Sequence, residues 1–360
     1  VPELANLGWT PALGAAFAPH EAKGLAPGRV SLEHNHVYRV LTSGGEWLAE
    51  ASGRIKYLAS GRHELPAVGD WVAVRPDPRG GRAHIKAILP RRSWFSRKAA
   101  GRGAVEQVVA ANIDTVLLVF GLDMWIKPRA IERYLLLSRQ SGVRPVVVLN
   151  KSDVSAEATA AGVAAARSVA GGAPIHAVSA RTGAGIDDLR HYLVRGQTLA
   201  LLGPSGAGKS SLANSLVGQA LLPTGEVRPW DARGRHTSVH RELVLAASGG
   251  VLIDTPGMRE LQLWDQDEDG ALAETFADLA ELATACRFRD CRHDREPGCA
   301  VKAAVEAGRI DAGRYASYLK LQQERQALDE RRDERAQLEA KRTTKIQHKA
   351  LKAMQKIRGR

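Results

Sequence analysis

Between residues 29 and 92, apolar positions gather in short runs flanked by polar ones. These are Val37–Leu41, Glu46–Ala51, Asp70–Val74 and His84–Leu89, cut by Ser43-Gly44-Gly45 and Pro76-Asp77-Pro78. Short strand-like runs separated by turn residues at this spacing predict a small all-β barrel, whose type the pattern leaves open. Further along, the pattern changes. Ile113–Phe120 and Arg144–Leu149 are apolar, β-branched runs, and Pro128–Ser141 between them has a helical pattern opened by proline. Helices near 156–170 and 185–194 then alternate with strands Ile175–Val178, Thr198–Leu202 and Val251–Asp254. Buried strands alternating with helices predict a parallel α/β core. From about 268 the pattern is helical, and after Tyr315 an Arg/Glu/Gln/Lys-rich helix runs without Gly or Pro to Gly359.

The expected organisation is a flexible segment 1–28, a β-barrel 29–92, a basic linker 93–106, an α/β domain 107–267, a helical domain 268–340 and a basic tail 341–360. A length of 360 residues fits two or three domains. No apolar run approaches the roughly 18 residues of a membrane span. Val1–Gly28 lacks the basic start and apolar stretch of a signal peptide. A cytoplasmic protein with no membrane partner is expected. The net charge of +12 favours an anionic macromolecular partner. The cations 341, 342, 345, 349, 352, 356, 358 and 360 occur in a tail without Asp or Glu.

Candidate chemistry sits at predicted strand ends. Gly203-Pro204-Ser205-Gly206-Ala207-Gly208-Lys209-Ser210, followed by Ser211, has the G-x-x-x-x-G-K-[ST] form between a strand and a helix. Such a loop wraps backbone N–H groups around phosphates; Lys209 would contact the β- and γ-phosphates and Ser210 would ligate Mg²⁺. Asn150-Lys151-Ser152-Asp153 has the N-K-x-D form. Its Asp153 carboxylate can accept from guanine N1–H and the exocyclic amine, which adenine cannot match. Asn150 would brace the loop, the Lys151 stem would cover the base, and Ser179-Ala180 would supply a second base-side loop. Asp254-Thr255-Pro256-Gly257 completes the set, with Asp254 holding Mg²⁺ through water and the Gly257 N–H sensing the γ-phosphate. In Arg233–Ser238, Thr237 or Ser238 would close over Mg²⁺. Met258 stands where many GTPases carry a water-orienting glutamine. That makes His236 the candidate in its place, beside Arg235 and Arg259; His236, Lys209 and Gly257 form the expected catalytic set. The base reader precedes the phosphate loop, the reverse of the usual order, so the chain reads as a circularly permuted GTPase.

All three cysteines fall in Cys286-x4-Cys291-x-His293-x5-Cys299. Three thiolates and one imidazole suit one structural Zn²⁺ with no open position for catalysis. Arg287, Arg289, Arg292 and Arg295 surround the ligands.

Together these residues resemble the RsgA (YjeQ) family of circularly permuted bacterial GTPases. The likeness includes Val68-Gly69-Asp70-Trp71-Val72, Glu106-Gln107-Val108 and Ala110-Ala111-Asn112. It implies an OB-fold barrel, a central GTPase and a C-terminal zinc domain. It further implies a monomer that binds the small (30S) subunit and its 16S rRNA, hydrolyses GTP when the subunit stimulates it, and acts in late subunit maturation. In that family the histidine matching His236 is implicated in catalysis. An RNA-binding scaffold that uses GTP only as a structural ligand is the alternative.

Overall fold

The computed structural model describes residues 3–98, 106–218, 242–254, 270–327 and 330. The chain divides into two compact units, Val1–Gln262 and Leu263–Arg360.

The first unit opens with α1 (Pro11–Glu21), whose Thr10 side chain caps the N-terminus by accepting from Leu13 N–H. This corrects the expected flexible segment 1–28. Leu7, Leu13 and Phe17 are buried, and Trp9 meets the Trp71 ring edge-on with centroids 4.8 Å apart. Ala and Pro dominate the composition there, but these four side chains supply an apolar anchor.

Next come β1 (Ala26–His34), β2 (Val37–Thr42), β3 (Gly45–Ala51), α2 (Gly53–Leu58), β4 (Trp71–Arg75) and β5 (Ala83–Ile88). Their order is β1-β2-β3-β5-β4, and β4 pairs back onto β1, closing a five-stranded barrel of the OB-fold class. Closure leaves a core of Val30, Tyr38, Val40, Val72, Val74 and Ile85. The expected linker 93–106 is also corrected. Its described ends lie in β6 (Trp94–Lys98) and β7 (Glu106–Ala111), which pair antiparallel. Nor is the preceding Arg91 a solvated linker cation. It forks onto the fully buried Asp70 through Nε and Nη2, each at 2.8 Å.

The α/β part contains β8 (Thr115–Gly121), α3 (Pro128–Gln140), β9 (Arg144–Asn150), α4 (Ala156–Arg167), β10 (Ile175–Ala177), α5 (Asp187–Arg190), β11 (Thr198–Leu202), α6 (Lys209–Val217), β12 (Glu242–Leu245) and β13 (Val251–Asp254). The sheet order is β10-β9-β8-β11-β13-β12, parallel except for β12. β8 and β11 are buried along their whole length, as strands covered on both faces must be. The barrel joins this sheet where Leu32 pairs with Glu242, reinforced by an Arg39–Glu242 ion pair at 2.9 Å.

The second unit contains α7 (Gly270–Thr275), α8 (Ala277–Ala283), α9 (Ala300–Glu306) and α10 (residues 312–327). Phe276 is fully buried at its centre, against the Tyr318 ring and under the Arg314 guanidinium. The tail 341–360 lies outside the described residues. No described helix is long and apolar enough to cross a membrane.

Candidate functional site

In an open parallel sheet, ligands bind beyond the carboxyl ends of the strands. The loops after β9, β10 and β11 all leave from that edge. β11 runs straight into the 203–210 loop. Gly203 has φ +143°, and a Cβ there would run into the Val119 carbonyl; Gly208 has φ +85°, and a Cβ would strike Asn150 Nδ2. Only glycine fits either position. Lys209 Nζ donates to the Gly203 and Pro204 carbonyls at 2.8 and 2.7 Å, which holds the ammonium over the loop. Ser210 is exposed on the first turn of α6. Ser205 and Gly206 are exposed as well, whereas Ala207 is buried.

Asn150 ties the loops together. Its side chain is buried, Nδ2 donates to the Ala207 carbonyl at 2.9 Å, and Oδ1 accepts from Ala180 N–H at 3.0 Å. One carboxamide therefore fixes the phosphate loop against the Ser179-Ala180 loop. Asp153 faces the same edge. Its Oδ1 accepts from the buried Ser179 hydroxyl at 2.5 Å, and its Oδ2 pairs with Arg181. The Ser179 hydrogen bond holds the Asp153 carboxyl below its ordinary value, and Arg181 adds to that effect. At neutral pH the group is an ionised double acceptor, the form guanine requires. Ser152 N–H donates to the Val178 carbonyl, so its backbone supports this corner.

Two residues here escaped the sequence reading. Asp123, two positions beyond β8, accepts from Lys151 Nζ at 2.6 Å and aims that side chain along the strand-end edge. Lys151 has φ +68°, so the loop turns sharply as it leaves β9. Arg181, exposed and next to Ala180, is the second. An acidic residue just past a buried strand was the only available signal for Asp123; nothing marked Arg181.

Asp254 ends β13 and pairs across the sheet with Glu242. The expected His236, Thr237, Ser238 and Gly257 lie outside the described residues, as do Arg235, Met258 and Arg259.

In the second unit, Cys286, Cys291, His293 and Cys299 bring one ligand atom each to within 4.8 Å of one another. His293 Nδ1 lies 3.5 Å from both Cys286 Sγ and Cys299 Sγ, and those two sulfurs are 3.9 Å apart. A zinc tetrahedron with bonds near 2.3 Å to sulfur and 2.0 Å to nitrogen has edges of about 3.5 Å for N···S and about 3.8 Å for S···S. The donor set and the three separations among Cys286, His293 and Cys299 fit such an ion, held through Nδ1, with Cys291 completing the four. Burial pushes the His293 imidazole down, towards its neutral ligating form. Burial opposes ionisation of Cys286, but the Ala300 and Val301 N–H groups, together with the Cys291 and Cys299 side chains, outweigh it and hold the thiol below its ordinary value. The Tyr315 hydroxyl donates to the His293 carbonyl at 2.5 Å and fixes the turn that carries the imidazole.

The RsgA GTPase family model matches residues 88–264. The small ribosomal subunit biogenesis GTPase RsgA of Opitutus terrae is 48% identical, with 99% of each chain covered. Its namesake in Xanthomonas axonopodis pv. citri is 44% identical, covering 90% of this chain and 88% of its own. Among solved structures, YjeQ from Thermotoga maritima superposes with a TM-score of 0.62 at 30% identity, covering 82% of this chain and 97% of that one. The circularly permuted GTPase YloQ gives 0.59 at 23% identity, covering 85% and 96%, a likeness of fold.

Proposed function

The chain belongs to the RsgA GTPase family, and on that premise we propose that it hydrolyses GTP in biogenesis of the small ribosomal subunit, as a cytoplasmic monomer that contacts 16S rRNA. The observation that carries this reading is the Asn150 bridge between the 203–210 loop and Ala180, with Asp153 ionised beside it. That bridge gathers a phosphate cradle and a guanine reader onto one sheet edge. Backbone N–H groups of 203–210 and Lys209 neutralise the phosphates, while Asp153 selects the base. Ser210 and Asp254 would hold Mg²⁺, which shields the phosphate charge while it is bound. The thiolates and His293 would hold one structural Zn²⁺, which supplies cross-links where a small helical unit has little core. The net charge of +12 suits an RNA partner.

Turnover is slow alone and rises on the small subunit, with His236 orienting water. The test measures GTP turnover with and without purified small subunits, for the natural chain and His236→Ala. The natural chain should be accelerated, and the variant should lose about 10²–10⁴-fold of the stimulated rate while keeping its GTP affinity. Tight GTP binding without turnover on subunits would replace this reading with the scaffold. Equal stimulation of both proteins would remove His236 from the mechanism.

A further inference from the structure

Four side chains supply the donors of the 286–299 loop, but its backbone needs a separate account. His293 lies in the left-handed region with φ +62°, a conformation that a residue bearing a Cβ seldom adopts unaided. Glu296, which is not among the four donors, organises the turn around it. Its Oε1 accepts from Arg292 N–H at 3.0 Å, and its Oε2 accepts from Asp294 N–H and Arg295 N–H, each at 3.1 Å. Arg292 N–H belongs to the peptide that leaves Cys291, and Asp294 N–H to the peptide that leaves His293. One carboxylate therefore fixes the backbone immediately after both mid-loop donors. The peptide after His293 is held at both ends, since its carbonyl accepts from the Tyr315 hydroxyl at 2.5 Å. At the base of the loop, Arg287 N–H donates to the Gly298 carbonyl at 3.3 Å. A carboxylate suits the position because both oxygens face N–H groups. An amide would turn its own donor towards one of them.

We propose that Glu296 is a positioning residue for the metal, which holds Cys291 and His293 in ligating geometry before the ion arrives, with Tyr315 as the second hold. This rests on the reading of the cluster as a zinc site and adds to it a residue that supplies no donor atom. A site whose binding-competent form is only partly populated binds more weakly by that fraction, so loosening the turn weakens zinc without changing its ligands.

The test uses the full-length protein. Zinc affinity is measured by competition with a chromophoric chelator, and ligand geometry by the visible absorption of protein saturated with Co²⁺. Glu296→Gln should bind zinc about 10- to 100-fold more weakly, the usual range for groups that orient metal ligands. At saturation it should give the same Co²⁺ spectrum as the natural chain, because all four ligands remain. Cys291→Ser, which removes one of them, should change that spectrum. Tyr315→Phe alters no charge and should weaken zinc about two- to tenfold, the range of one hydrogen bond. Undiminished zinc affinity in Glu296→Gln overturns the proposal. So does an altered spectrum in that variant at saturation, which would mean that the ligand set itself has changed. Weakening in Glu296→Gln with none in Tyr315→Phe would trace the effect to lost charge and also count against positioning. If the natural chain takes up neither ion, the zinc reading fails; if it binds both and Glu296→Gln matches it, the positioning role alone fails.

Discussion

Removing the Asn150 carboxamide would strand two backbone groups at once, the Ala207 carbonyl and the Ala180 N–H. Leaving a buried polar group unsatisfied costs roughly 1–3 kcal/mol. Asn150→Ala should therefore lower the melting temperature and weaken GDP binding at least about tenfold, because both nucleotide-facing loops lose their common tie. Differential scanning fluorimetry and equilibrium nucleotide binding check the two effects. Asp153→Asn acts through chemistry alone. An amide cannot accept from both guanine donors, so affinity for GDP should fall by about 1–3 kcal/mol while XDP gains. Competition between GDP and XDP on one preparation reads the switch; parallel losses for both would contradict it. Asn150 and Asp153 were legible because one contiguous motif at a strand end carries both. Asp123 and Arg181 were not, since each acts through a partner reached from a different loop, and pairing across strand ends leaves no periodic trace in a sequence.

Elements follow the same division. β8, β9, β11 and β13 were readable from their apolar runs, because strands buried on both faces have no competing demand on their side chains. β1 was missed because Pro27 and Gly28 near its start read as a turn, and Arg29 is buried by pairing rather than by being apolar. α5 is shorter than the expected 185–194 helix, since the chain turns at Tyr192 and Leu193 towards Gly196. The loop carrying the three cysteines and His293 joins α8 to α9. Cys286 follows α8, and Cys299 caps α9, its Sγ accepting from Lys302 N–H at 3.5 Å. Metal binding at this cluster would be folding free energy for the flanking helices. Cys291→Ser should lower zinc content well below one per chain and expose amides of α8 and α9 to exchange, leaving β8–β11 protected. Elemental analysis with hydrogen exchange checks this, and a fully protected α9 in zinc-free protein would contradict it.

At the scale of the molecule, the barrel and the α/β sheet form one unit whose joint is polar. Arg29 is 1% exposed and stacks on Trp71, and its guanidinium fans onto the carbonyls of Leu7, Gly69 at 3.1 Å and Asn112 at 3.0 Å. Asn112 Nδ2 also donates to Gly69 O at 3.1 Å, and Ala111 N–H donates to Val68 O at 2.9 Å. The Val-Gly-Asp-Trp and Ala-Ala-Asn stretches, far apart in sequence, are thus two sides of one seam. Burial pulls Arg29 down to about 10, opposed by Asp114, so it remains charged at neutral pH. The seam lies at the amino ends of β8 and β11. The five residues of β11, about 16 Å of strand, separate it from the phosphate loop. Arg29→Met would keep the stem and leave the Leu7 and Asn112 carbonyls without their donor. It should destabilise the first unit by roughly 2–5 kcal/mol. At this size that lowers the melting temperature by several degrees, about 2–4 °C for each kcal/mol. GDP affinity should stay within about twofold, because no nucleotide-facing loop changes its contacts. Subunit-stimulated turnover should fall further than intrinsic turnover, since a barrel loosened at this seam keeps only the Asn112 and Ala111 bonds there, beside the Leu32–Glu242 pairing and the Arg39 ion pair. Measuring stability, GDP affinity and both rates on one preparation separates the roles. A large loss of GDP affinity would show that the seam reaches the nucleotide loops. An unchanged melting temperature would mean that packing on Trp71, not the guanidinium, holds the domains together.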